Sequence, residues 1–289
     1  YRKPINDKKV KLEIVLQYPN VNKDKYPLVA IVVSSQGYNY EDEGLIAEDF
    51  RKLGYATLLI DSYSRRGVGG DSAEVGHTIN SPTIALDALY ALDAVKNNPR
   101  IDMNRTALYG ASKGSLEVEE TMIIALGKGL PMFKVLLSEN SNMCFDWSKV
   151  PLHRNVKLVV FTGGKDNSGT LSECVERTKI FKAKGYNITH INYPNSAHRF
   201  VITQARSGTL PKHVDGYGYS QCEWLVDKNG NQGYRVKSTN VVTFPQNRNE
   251  AKETIRSCLN RGILWGGTVA ERNQFFKDAH KEMNKVFNN

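Results

Sequence analysis

The chain lacks any long apolar run. Its longest aliphatic stretches are short pieces such as 28–33 and 56–60, far below the ~18 residues that cross a bilayer, so no transmembrane segment is expected. It has no Cys-x-x-Cys pair and no cluster of histidines, which removes the usual zinc spacings and leaves no metal expected. A long basic run with interleaved aromatics is missing as well. The 39 Lys and Arg against 30 Asp and Glu give a net charge of +9, a balance that favours acidic partners, yet the charges are scattered among acidic residues, so no nucleic-acid partner is expected. Internal repeats and low-complexity linkers are also missing. The chain begins at Tyr1 without an initiator Met, so either a targeting segment has been removed or the chain has been trimmed.

What is present is ordinary globular material. With 289 residues, 40% apolar and 24% charged, the chain can bury one large core, and a single α/β domain over 1–289 fits best. Val10, Leu12, Ile14 and Leu16 alternate with mostly polar neighbours, the pattern of a strand with one wet face. The runs 28–35, 55–61, 106–110, 133–139, 156–163 and 187–193 are short and aliphatic or β-branched, as in strands buried on both faces of a parallel sheet. Helical patterns separate them at 44–53, from Ser81-Pro82 onward, and at 113–126, 171–184, 249–259 and 269–286. Such alternation implies a mostly parallel sheet with helices on both faces and a ligand site at the carboxyl ends of the strands. The segment 207–245 is richer in Gly, Tyr, Asn, Gln and Ser and reads as a hairpin-like insertion before the last helices.

The four cysteines, Cys144, Cys174, Cys222 and Cys258, permit three pairings if all are oxidised. The pairing of Cys144 with Cys174 and Cys222 with Cys258 is preferred, because each pair then lies within one region. The alternative is four buried free thiols in a reducing cytoplasm.

Thr106 to Ser115 reads as an apolar strand, a Gly-x-Ser-x-Gly turn at Gly110-Ala111-Ser112-Lys113-Gly114, and a helix. A serine hydroxyl is a poor nucleophile at neutral pH, so it must be held in a tight turn beside a base, with N–H groups ready for an oxyanion. Gly110 and Gly114 leave room for that turn, with Ser112 at its apex. The strand 156–163 runs into Asp166, and the strand 187–193 runs into His198, so both fall at the rim where Ser112 would stand. His198 is the candidate base and Asp166 the group that orients it. Glu139 and Asp146, which follow the preceding strand, are the rival acids; His190 lies inside a strand, and His77, His153, His213 and His280 have no strand-end position relative to Ser112. The backbone N–H groups of Lys113 and Tyr38 are the expected oxyanion donors. Gln36, Gly37, Tyr38, Arg65, Arg66 and Asn142 lie in loops expected to face and shape the pocket.

In these motifs the chain resembles the dienelactone hydrolase-like branch of the α/β-hydrolases. The likeness runs from Pro27-Leu28-Val29-Ala30, through 54–63 and Arg66-Gly67, to the serine turn, Gly163 to Asp166, and Tyr193-Pro194 to His198. It implies an α/β-hydrolase fold, hydrolysis of a small-molecule or polymer-borne carboxylic ester through an acyl-enzyme, no metal or organic cofactor, and Ser112, Asp166 and His198 as the triad. Cys144 and Cys174 fall where some exported members look disulfide-bonded, which together with the even cysteine count implies a periplasmic or secreted location. Two features depart from the family. Dienelactone hydrolases proper carry cysteine as nucleophile where this chain has Ser112, and many relatives have His-Gly where it has Gln36-Gly37. A general ester hydrolase is therefore expected; an acyltransferase, a peptidase, or a non-catalytic protein binding an anionic envelope partner are the alternatives.

Overall fold

The computed structural model describes residues 10–35, 37–68, 79–141, 144–169, 171–202, 212–246 and 248–288. Seven strands form one mixed sheet: β1 (Glu13–Gln17), β2 (Tyr26–Val32), β3 (Ala56–Asp61), β4 (Ile101–Ala111), β5 (Val135–Glu139), β6 (Lys157–Gly163) and β7 (Ile188–Tyr193). Their spatial order is β1-β3-β2-β4-β5-β6-β7. Only β1 runs antiparallel to its neighbour, and its alternation of exposed and half-buried residues is the expected mark of an edge strand with a wet face. From β2 the chain moves outward to β3, then crosses back to β4 and continues in the other direction. That reversal opens a crevice between the carboxyl ends of β2 and β4, the place where such sheets bind ligands.

The two faces of the sheet carry separate cores. Leu28, Ala30, Val32, Leu108, Leu136 and Val160 point to one face, which is covered by α2 (Ser81–Val95), α3 (Lys113–Lys128) and α4 (Leu171–Ala183). Val29, Ile31, Ala107, Tyr109, Leu137 and Phe161 point to the other, which is covered by α1 (Leu45–Lys52) and α6 (Val269–Phe287). The aliphatic runs therefore read as near-continuous because both of their alternating sides are buried. Local chemistry fixes the helix ends. Asn80 caps α2 by accepting from Thr83 N, with Pro82 in the first turn, and Thr268 caps α6 by accepting from Glu271 N.

Three expectations need correction. β4 begins at Ile101, five residues before the expected start, because 101–105 continues the strand. The helix expected at 249–259 stops early: α5 (Arg248–Ile255) gives way to a 3-10 turn, Arg256–Cys258. The segment 207–245 is more than a hairpin. Among the described residues, β9 (Cys222–Val226), β10 (Gln232–Val236) and β11 (Val242–Thr243) form a three-stranded antiparallel sheet, while β8 (Lys212–Gly218) pairs with β12 (Asn260–Trp265), beyond α5. β12 carries Gly262 at φ +79° and a register irregularity between Arg261 and Ile263, which hid its strand pattern from the sequence. The disulfides join Cys144 to Cys174 and Cys222 to Cys258. The second ties β9 to the residues just before β12.

Candidate active site

Ser112 stands between β4 and α3 with φ 56° and ψ −119°. A non-glycine residue holds such a conformation only where its surroundings over-determine it. Here the Ser112 N–H donates to Glu139 O at 2.9 Å, and the Ser112 carbonyl accepts from Ser115 N at 3.1 Å. Close packing beneath the turn does the rest. A Cβ on Gly110 would lie 2.4 Å from Gly114 O and 2.8 Å from a methyl of Val32, so the strand and helix meet at a distance only glycine allows. Lys113 opens α3, and the first N–H groups of a helix have no partner inside it. Its side chain turns away: Nζ donates to Glu117 Oε1 at 2.5 Å and to Tyr63 OH at 3.1 Å.

Asp166 and His198 reach Ser112 from the ends of β6 and β7. His198 Nε2 lies 2.9 Å from Ser112 Oγ, and His198 Nδ1 lies 2.9 Å from Asp166 Oδ2. Three residues from three strand ends are thus in hydrogen-bonding sequence. The His198 side chain is 3% exposed and that of Asp166 11%, so the pair is largely shielded from water. Burial alone would push the Asp166 carboxyl up, but the His198 charge and hydrogen bonds from His198, Ser168 and Asn140 together hold it below the usual carboxylate range.

Asn140 and Ser168 have no place in the sequence reading. Asn140 follows β5 at φ 49° and donates from Nδ2 to Asp166 Oδ2 at 2.6 Å and to Ala197 O at 3.1 Å, linking the acid loop to the histidine loop. Ser168 donates to Asp166 Oδ1 from N at 2.8 Å and from Oγ at 2.6 Å, and its Oγ lies 2.8 Å from His198 Nδ1. The Asp-x-Ser spacing, which allows an Asx turn, is a signal that could have found it. A second buried link was equally invisible. Arg199, next to His198, pairs with Glu43 Oε1 at 3.2 Å and Asp42 Oδ2 at 3.4 Å, and Glu43 accepts from Ser34 N and Asn39 N. The histidine loop is thereby joined to the loop after β2. Burial, the largest influence, raises the Glu43 carboxyl against the pull of Arg199.

The remaining candidates are distributed unevenly. Gly37 has φ +80°, and Tyr38, which follows it, exposes its ring. Gln36 and Asn142 lie outside the described residues. Arg65 pairs with Glu13 at 3.1 Å and Arg66 forms a two-pronged pair with Asp87 at 2.6 and 3.0 Å, so both guanidinium groups are engaged in ion pairs. Glu139 accepts from Tyr109 OH and Asp146 from Ser148 N, and neither carboxylate has a hydrogen bond to His198 among the described residues. His190 Nε2 instead lies 2.8 Å from Thr162 Oγ1, and His280 Nδ1 2.7 Å from Tyr55 OH. No group of three or more His, Cys, Asp or Glu among the described residues could hold a metal ion.

No protein-family model matches the chain, and no curated protein is significantly similar to it. Solved structures are. A candidate dienelactone hydrolase from Klebsiella pneumoniae subsp. pneumoniae superposes with a TM-score of 0.56 at 15% identity, over 69% of this chain and 86% of that one. A thermophilic esterase from Thermogutta terrifontis, with propionate bound, gives 0.53 at 15% identity, over 69% and 84%. Est1E from Butyrivibrio proteoclasticus, with ferulic acid bound, gives 0.50 at 17% identity, over 68% and 91%. With its mostly parallel sheet, its helices on both faces and these structural neighbours, the chain has the α/β-hydrolase fold.

Proposed function

We propose that this protein is a serine hydrolase that cleaves carboxylic esters through an acyl-enzyme. The observation that carries the reading is the continuous contact from Ser112 Oγ to His198 Nε2 and from His198 Nδ1 to Asp166, both at 2.9 Å. The fold alone does not carry it, because α/β folds host many activities. Asp166 accepts a hydrogen bond from Nδ1–H, which fixes the tautomer that leaves Nε2 free as the base. As Ser112 Oγ bonds to the ester carbonyl carbon, its proton passes to Nε2, and the carbonyl oxygen becomes an oxyanion. The N–H groups of Lys113 and Tyr38 are the donors assigned to that charge. Collapse breaks the bond to the leaving alcohol, which takes the proton from Nε2. Water then repeats the sequence on the acyl-serine, returning a proton to Ser112 and releasing the acid. The whole chain is read as one catalytic domain that includes its inserted strands, and the two disulfides suit an oxidising compartment.

Labelling by a fluorophosphonate probe, with hydrolysis of aryl esters of increasing acyl length, tests the reading. The native protein should label at one site and turn over short esters, while Ser112→Ala should do neither. Native protein that neither labels nor turns over any ester of the series would refute the proposal.

A further inference from the structure

The inserted strands end against the two loops that carry Asp166 and His198, and the side chain of Asn167 bridges the acid loop to β12. Asn167 Oδ1 accepts from Leu264 N at 2.6 Å, and its Nδ2 donates to Gly262 O at 3.2 Å. The same stretch of β12 holds the histidine loop by its main chain. His198 N donates to Leu264 O at 3.0 Å, Gly266 N donates to His198 O at 2.8 Å, and Ala197 N donates to Gly266 O at 2.8 Å. The peptide groups of Leu264 are thus clamped between the residue after Asp166 and His198 itself. The close fit continues at Gly267, where a Cβ would lie 2.6 Å from both Ser196 Oγ and Phe200 Cβ.

The end of the other partner of the pair, β8, abuts the acid loop. Tyr219 N donates to Ser168 O at 2.5 Å, and Gly218 packs where a Cβ would lie 3.0 Å from Asn167 O. The inserted strands are in turn fixed to the body of the protein. Trp224 packs on Phe145 with ring centroids 5.2 Å apart, Lys237 pairs with Glu173 at 2.7 Å, and Gln232 donates to Glu120 at 2.5 Å. Loops of this length would otherwise leave the histidine free to move by distances that matter for catalysis, since about 1 Å of misplacement can cost 10²-fold in rate.

We infer that the inserted strands act as a brace that fixes His198 against Asp166, with β12 holding the histidine loop by its main chain and Asn167 as the positioning residue that ties the Asp166 loop to the same stretch of β12. The inference rests on the hydrolase reading above and extends it to a structural element outside the sheet. Because acylation and deacylation both use the same imidazole, loss of the brace slows both steps alike and leaves KM nearly unchanged.

The test compares wild type, Asn167→Ala and Asn167→Asp with p-nitrophenyl acetate, each normalised to active sites titrated by a fluorophosphonate. Asn167→Ala should lower kcat per titrated site by about 10- to 100-fold with KM within about twofold. Asn167→Asp keeps an oxygen for the Leu264 N–H and should regain part of that loss. A merely structural role would reduce the number of titratable sites and leave kcat per site unchanged. That result, or equal kcat per site for the Ala and Asp variants, overturns the inference while leaving the hydrolase reading intact. If wild type itself neither titrates nor turns over, the hydrolase reading fails and the inference falls with it.

Discussion

Ser112 and the Asp166–His198 pair belong to one site, yet they are held in opposite ways. The serine sits on a turn of two glycines wedged between β4, Val32 of β2 and α3, so its position is set by close backbone packing. The pair sits on loops beyond β6 and β7, and its position is set by hydrogen bonds and ion pairs: Asn140 from the end of β5, Ser168 and Asn167 in the acid loop itself, Arg199 beside the histidine, and the main chain of β12. Packing resists displacement from every side, whereas a hydrogen-bonded loop moves when one partner is lost. The serine side should therefore fail by unfolding and the histidine side by losing rate in a folded protein. That contrast can be broken or sharpened by experiment.

The largest effect should come from the serine itself. Ser112→Ala removes the attacking atom without removing packing, so hydrolysis should fall by about 10³-fold or more with stability near wild type, checked by ester kinetics and urea titration on the same sample. Gly110→Ala should do the reverse. Its methyl would meet the backbone of Gly114 at 2.4 Å, where no flexible side chain can yield, so a loss of about 2–4 kcal/mol is expected in urea unfolding, with activity lost only as the folded fraction falls. A folded, stable Gly110→Ala that is inactive would break the contrast.

The two halves also differ in how far they can be read from sequence. The elbow is local. Strand, turn and helix occupy 101–128, and the glycines that permit the turn are two residues on either side of Ser112, so residue spacing alone locates it. Asp166 and His198 are legible for a related reason, because each follows a buried aliphatic run whose end defines the rim. What holds them is not legible. Asn140 is 26 residues from Asp166, Asn167 meets Leu264 across 97, and Arg199 meets Glu43 across 156. No periodicity links such pairs. β12 is illegible for the same reason, since its partners β8 and His198 are distant in sequence and Gly262 interrupts its pattern. The partners of Arg65 and Arg66 are no more legible, since Glu13 and Asp87 lie far from them in the sequence.

The seat of the inserted strands on α3 should respond to pH. Glu120 is buried, accepts from Gln232 of β10, and has its carboxyl pushed up to about 8, chiefly by burial. A carboxyl raised above its unfolded value holds a proton in the folded state that the unfolded chain has lost, so stability falls as pH rises from about 4.5 toward 8. Glu120→Gln keeps an oxygen for Gln232 and cannot ionise. Urea unfolding should show it gaining a few kcal/mol over wild type between pH 5 and pH 8. A difference that does not vary with pH would mean that Glu120 carries no such proton.

Asn140→Ala gives the smallest effect and the most direct reading of the histidine side. It removes the 2.6 Å donor to Asp166 Oδ2 and the bond to Ala197 O, so kcat should fall by about tenfold in a folded protein, as expected for loss of one charge-assisted hydrogen bond worth about 1–2 kcal/mol. The pH dependence identifies the partner. Asp166 is held below the usual range, and a carboxyl with a depressed folded value contributes stability above its unfolded value of about 4 that is lost as pH falls through the folded one. Asn140 supplies part of that depression. The stability gap between wild type and Asn140→Ala should therefore be full at pH 7 and narrow as the pH drops below about 4, to the part owed to Ala197 O. If Asn140 serves only Ala197 O, the gap in urea midpoints will be the same at pH 7 and pH 3, and the acid loop must owe its place to Ser168, Asn167 and its main-chain bonds.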